Sequence, residues 1–148
     1  MGIIKNVILF LKLKNKDKKV FLEALFYSAK SRFMVKFVPF RKIAPILGKE
    51  QEDISVNEDN YTAEIKRISK AVKTVSRNTP WESKCLVQAL TAKYMLKKRG
   101  IKSTVYFGVA KDEEKDIKAH AWIKSNDIIL TGKTGMDNYN VISIFSDK

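Results

Sequence analysis

The chain holds one cysteine, Cys85, and one histidine, His120. Cys85 opens a helical pattern just after Thr79-Pro80-Trp81, and His120 sits in the strand-like run Ala119-His120-Ala121-Trp122-Ile123. A thiol is a modest nucleophile and a thiolate a potent one. A helix N-terminus and a nearby imidazole both favour the thiolate. Amides at the helix start can also bind the oxyanion that forms when a carbonyl is attacked. His120 would take the thiol proton and return one to the leaving amine. Composition alone leaves the blander reading open: a buried, inert cysteine and a packed core histidine.

Thirty-five residues separate the pair, so tertiary structure must bring them together. Helical spacing runs through Val20, Leu22, Leu25, Phe26, Ala29 and Phe33, with Asp17 as the expected N-cap of a helix to about Lys36. Pro39 ends it, a short helix follows over 40–47, and Pro45 marks a break before Leu47-Gly48. Residues 49–60 are polar and acidic and read as an exposed linker. Residues 61–75 are a second helical run, and 76–80 a loop. Ser83 or Glu82 is expected to start the helix that carries Cys85 to Lys98, with Lys97-Lys98-Arg99-Gly100 as its end signature. Strands are expected over 103–110, 118–124, 127–131 and 141–145, the middle two joined by a hairpin at Ser125-Asn126. The layout is α+β. It divides into a basic helical region and acidic linker (1–60) and a core (61–148).

The net charge is +13, from 29 basic and 16 acidic side chains. Residues 1–50 carry twelve basic and three acidic side chains, a net +9. Such a segment attracts an acidic partner surface. No nucleic-acid-binding motif is present, so no nucleic-acid partner is expected. No run reaches the roughly 20 apolar residues that span a bilayer. The Met1-Gly2 start lacks the Ser/Thr at position 6 that myristoylation requires, and residues 3–13 lack a cleavage site. No membrane contact is expected. A lone cysteine fits a reducing cytoplasm. One Cys and one His do not make a zinc site, and no phosphate-binding glycine loop is present, so no metal or cofactor is expected.

Pro80-Trp81-Glu82-Ser83-Lys84-Cys85-Leu86-Val87-Gln88-Ala89-Leu90, then Arg99-Gly100-Ile101, then Tyr106-Phe107-Gly108-Val109, then Ala119-His120-Ala121-Trp122 resembles the papain/transglutaminase-like cysteine protease core. More narrowly, it resembles the stand-alone leader peptidase of lasso-peptide biosynthesis. The resemblance covers 80–131 well. It extends loosely to Phe21-Leu22-Glu23-Ala24, Arg32, Pro39-Phe40 and Leu47-Gly48. It implies a cysteine endopeptidase that removes the leader from a ribosomally made precursor peptide. Such an enzyme works with a separate leader-recognition protein and an ATP-dependent lasso (macrolactam) cyclase. Cys85 would be the nucleophile and His120 the general acid/base.

Relatives commonly place an aspartate about a dozen residues past the histidine, where this chain has Gly132 preceded by Thr131. Asp127 is the nearby acid, but a tight turn at Ser125-Asn126 would hold it roughly 15–20 Å from His120 at about 3.3 Å per strand residue. Thr131 is the alternative, placed nearer to His120 across the hairpin. A backbone carbonyl or a residue of the loop at 137–140 would also serve. Trp81 and Trp122 would wall a cleft or pack the core. Gln88 lies one turn past Cys85, and Asn78 is either an oxyanion donor or a turn residue. Two other functions stand beside the peptidase: acyl transfer to an amine, as in a transglutaminase, and a non-enzymatic basic binding module.

Overall fold

The computed structural model describes residues 5, 8, 10–50, 57, 60–79 and 84–147. The expected starts of the Cys85 helix at Glu82 or Ser83, and Trp81 with them, lie outside the described residues.

Helix α1 spans Asn15–Phe37 and α2 spans Phe40–Leu47. Lys14, not Asp17, is the N-cap of α1. Asp17 lies within the first turn, where a carboxylate complements the helix dipole and pairs with Arg67 at 3.3 Å. Pro45 does not break α2 but sits inside its last turn. Helix α3, Thr62–Asn78, starts where Asn60 Oδ1 accepts the Thr62 amide. It continues past the expected loop start at Ser76 because the Ser76 hydroxyl and Asn78 amide fold back onto the carbonyls of Lys73 and Thr74. Helix α4, Cys85–Lys98, closes where the Arg99, Gly100 and Ile101 amides return to Leu96 and Lys97.

Strands β1 (Lys49–Glu50), β2 (Thr104–Lys111), β3 (Ile117–Ser125), β4 (Ile128–Thr131) and β5 (Asn140–Ser146) form one antiparallel sheet in the order β1-β5-β2-β3-β4. The start of the expected linker is therefore an edge strand paired to Phe145 and Ser146. The β3–β4 turn is Asn126-Asp127, one residue later than expected. Both adopt positive φ, 49° and 65°, as a two-residue hairpin turn with native strand twist requires. Asn57 braces this turn, donating to Asn126 Oδ1 and Lys102 O.

The register gives the sheet two faces. Val105 pairs with Ile123 and Phe107 with Ala121 on one face. Tyr106 pairs with Trp122 and Gly108 with His120 on the other. The first face meets the helices: Val105, Ala121, Ile123, Leu130 and Phe145 share a core with Val20 and Ala24 of α1, Ile43 and Leu47 of α2, Ile65 and Val72 of α3, and Leu90 and Met95 of α4. Helix α4 is enclosed so fully that Lys93 is buried along it. Its ammonium donates to Ser103 O (3.0 Å), Ser103 Oγ (2.9 Å) and Asp147 Oδ2 (2.6 Å). Burial lowers the Lys93 pKa from 10.5, against the opposing pull of Asp147. Three side chains clamp the helices: Arg99, the C-cap of α4, grips both carboxylate oxygens of Glu23 on α1 (2.6 and 2.8 Å) and Glu64 on α3 (2.7 Å).

Candidate active site

Cys85 is the first residue of α4 and is partly exposed. The first intrahelical bond runs from the Gln88 amide to Lys84 O at 3.0 Å. The amides of Cys85, Leu86 and Val87 thus have no acceptor within the helix. No acidic side chain occupies the first turn, so nothing on the helix neutralises the positive end of its dipole beside the sulfur. Gln88 is half-buried one turn along.

His120 is held from three sides. Its Nε2 lies 2.7 Å from Gly132 O. Its ring stacks on Tyr139 at 5.0 Å and tilts against Trp122 at 5.7 Å, and Trp122 in turn stacks on Tyr106. Gly108, directly across from His120, makes room for this cluster. A Cβ there would come within 2.8 Å of Tyr139 Cβ and 3.0 Å of the Trp122 indole. Trp122 is buried within this cluster, on the face away from the helices.

The hydrogen bond to Gly132 fixes the chemistry of the ring. A carbonyl only accepts, so Nε2 carries the proton. In the neutral ring, Nδ1 then holds the free lone pair and is the nitrogen able to take a proton from a thiol.

Neither side-chain candidate for the third position holds the ring. Asp127 is in the hairpin turn beyond Ser125, about 16 Å of strand from His120 at 3.3 Å per residue. Thr131 pairs with Ile123 rather than His120 because the turn falls one residue later than expected and the β3–β4 register shifts again between Ile123 and Lys124. Its hydroxyl is buried with no partner among the described residues. Gly132 stands next in the chain and supplies a backbone oxygen instead. Its φ is +80°, and a Cβ would fall 2.4 Å from Ala121 O, so no side chain fits there. Asn78, the last residue of α3, has its side-chain amide on Thr74 O. Gly108 is the site residue to which the sequence reading assigned no role, although it stands in a motif quoted for the resemblance; the Gly132 carbonyl and Tyr139 fall within the alternatives it named, a backbone carbonyl or the loop at 137–140.

Ala121 and Ile123 carry the strand face that packs on the helices, and Cys85 packs against that same core. His120 occupies the alternate face. β4 ends at Thr131, and the Gly132 backbone continues closely alongside β3 at Ala121 and Trp122. Among the described residues, no hydrogen bond joins Cys85 Sγ to the ring. An apolar hollow of about 210 Å³ lies between Phe10, Phe21 and Ala71, away from both residues.

A family model described as the transglutaminase-like superfamily matches residues 34–144, from the last turn of α1 almost to the end of β5. The chain belongs to the transglutaminase-like superfamily. This is a superfamily of cysteine proteases and acyltransferases, and the helix–sheet order found here, α4 followed by β2, β3 and β4, fits that core. No curated protein and no solved structure matches the chain significantly. The Gly132 carbonyl meets His120 at the position where the resemblance implies an aspartate in relatives and this chain has a glycine.

Proposed function

We propose that this protein is a cysteine peptidase that removes the leader from a ribosomally made lasso-peptide precursor, with Cys85 as nucleophile and His120 as general acid/base. The observation that carries the reading is the His120–Gly132 bond, which leaves Nδ1 as the basic nitrogen of a ring held in place. The superfamily match and the motif resemblance around Cys85 and His120 support it.

The steps follow from the groups present. Nδ1 of His120 takes the Cys85 thiol proton, and the sulfur attacks the scissile carbonyl carbon. The oxyanion is met by amides at the start of α4. The imidazolium returns the proton to the leaving amine as the C–N bond breaks, leaving a thioester. Water then gives a proton to Nδ1 and attacks the thioester, which releases a carboxylate and restores the thiol. A separate leader-recognition protein would deliver the precursor, and an ATP-dependent lasso cyclase would use the freed amine. A reducing compartment such as the cytoplasm suits the single thiol.

Superfamily membership also favours a second reading, in which an amine replaces water and the acyl group is transferred. Mass spectrometry of the product separates the two: hydrolysis adds the mass of water, transfer the mass of the amine. Cys85→Ala should process no precursor while its circular dichroism matches the wild type. Normal leader removal by that variant would reject the mechanism.

A further inference from the structure

Helix α1 is apolar on two opposite sides. Val20, Ala24, Ser28 and Ser31 face the core. Leu22, Phe26, Phe33 and Phe37 recur at spacings of four, seven and four, which places them on the opposite face. They stay 52%, 63%, 60% and 63% exposed. The Phe33 and Phe37 rings pack together 4.9 Å apart. From Leu22 to Phe37 the ridge runs about 22 Å at 1.5 Å per residue. Three exposed phenylalanines in one line are not the scattered apolar residues of an ordinary surface.

Lysines flank the ridge. By helical position, Lys18 and Lys36 lie on one side and Lys19 and Lys30 on the other. Residues 1–50 as a whole carry a net +9. This charge argues against a second copy as the occupant, since pairing two such faces would bring like charges together. The ridge is convex, the outer side of a helix, so a flat surface meets all of it at once. No described helix is long and apolar enough to cross a membrane, and lying on one requires none.

We propose that this face of α1 docks the protein on an anionic lipid surface, the phenylalanines entering the headgroup boundary and the lysines pairing with phosphates. Long lysine stems can reach up to the headgroups while their methylenes cover apolar surface. This reading is independent of the peptidase proposal, and neither falls with the other.

The test is flotation of the full chain with vesicles of phosphatidylcholine alone or mixed with phosphatidylglycerol. The wild type should float with the mixed vesicles, bind pure phosphatidylcholine less, and come off as salt rises. Phe26→Ser/Phe33→Ser should weaken binding about tenfold or more. Lys19→Glu/Lys30→Glu/Lys36→Glu should lose the preference for the anionic lipid. All five side chains are exposed, so both variants should melt like the wild type. A wild type that does not float, or a serine variant that floats equally well, overturns the proposal. So does a concentration-dependent dimer abolished by the serine variant, which would assign the ridge to a second copy.

Discussion

His120 Nε2 has a carbonyl rather than a carboxylate for its partner. The carbonyl orients the ring and sets its tautomer without adding a charge, and its position depends on Gly132 having no side chain. Gly132→Ala would require both a left-handed residue and a Cβ 2.4 Å from Ala121 O. It should cost about 2 kcal/mol or more of stability and lower kcat as the oxygen shifts; thermal melts and precursor kinetics measure the two. Nothing in the sequence marks a catalytic carbonyl, since every residue has one. Cys85 and His120 were legible because each is the sole member of its type beside a helix start or strand pattern. Lys93 was not, because lysine on a helix ordinarily faces water. Asp147→Ala should leave its ammonium buried without a counter-charge and destabilise by about 3 kcal/mol, read by denaturant titration. The sign of its pH effect follows from the lowered pKa. Between the folded value and 10.5, the unfolded chain binds more protons than the folded one, so stability from this group rises with pH. Below that window, keeping the charge buried counts against folding. Compared with Lys93→Met, the wild type should gain stability across that window in melts taken at increasing pH.

Between elements, Arg99 does what its neighbours in the helix cannot. It binds Glu23 with two nitrogens and Glu64 with a third, so one planar fork joins α1, α3 and α4. Glu23, then Glu64, holds its pKa above the ordinary guanidinium value against the cost of burial. Arg99→Lys keeps the charge but not the fork and should lose about 2 kcal/mol, measured by urea unfolding. The elements themselves were largely legible. Apolar periodicity located α1 through α4, and alternation located β2, β3 and β5 to within a residue or two. What escaped were features set by distant partners. β1 exists only through β5. The β3–β4 turn shifted by one residue because two consecutive positive-φ positions fall on Asn126 and Asp127. The periodicity of α1 could not say which of its apolar residues face the core, because both sides are apolar.

Across the whole molecule, helices and sheet close one core, and the chemistry lies at its margin. α4 presents its positive end with Cys85, while the far face of the sheet holds His120 among Tyr139, Trp122 and Gly108. Strand order alone could not reveal that His120 would stand on the face away from the helices, since an α+β layout is compatible with either face. On the proposed mechanism the imidazole nonetheless activates the thiol. Because Cys85 is the sole thiol of the chain, its rate of alkylation by iodoacetamide at neutral pH reports on it alone. The account predicts that His120→Ala slows this reaction at least about tenfold relative to the wild type. Equal rates in the two proteins would contradict it.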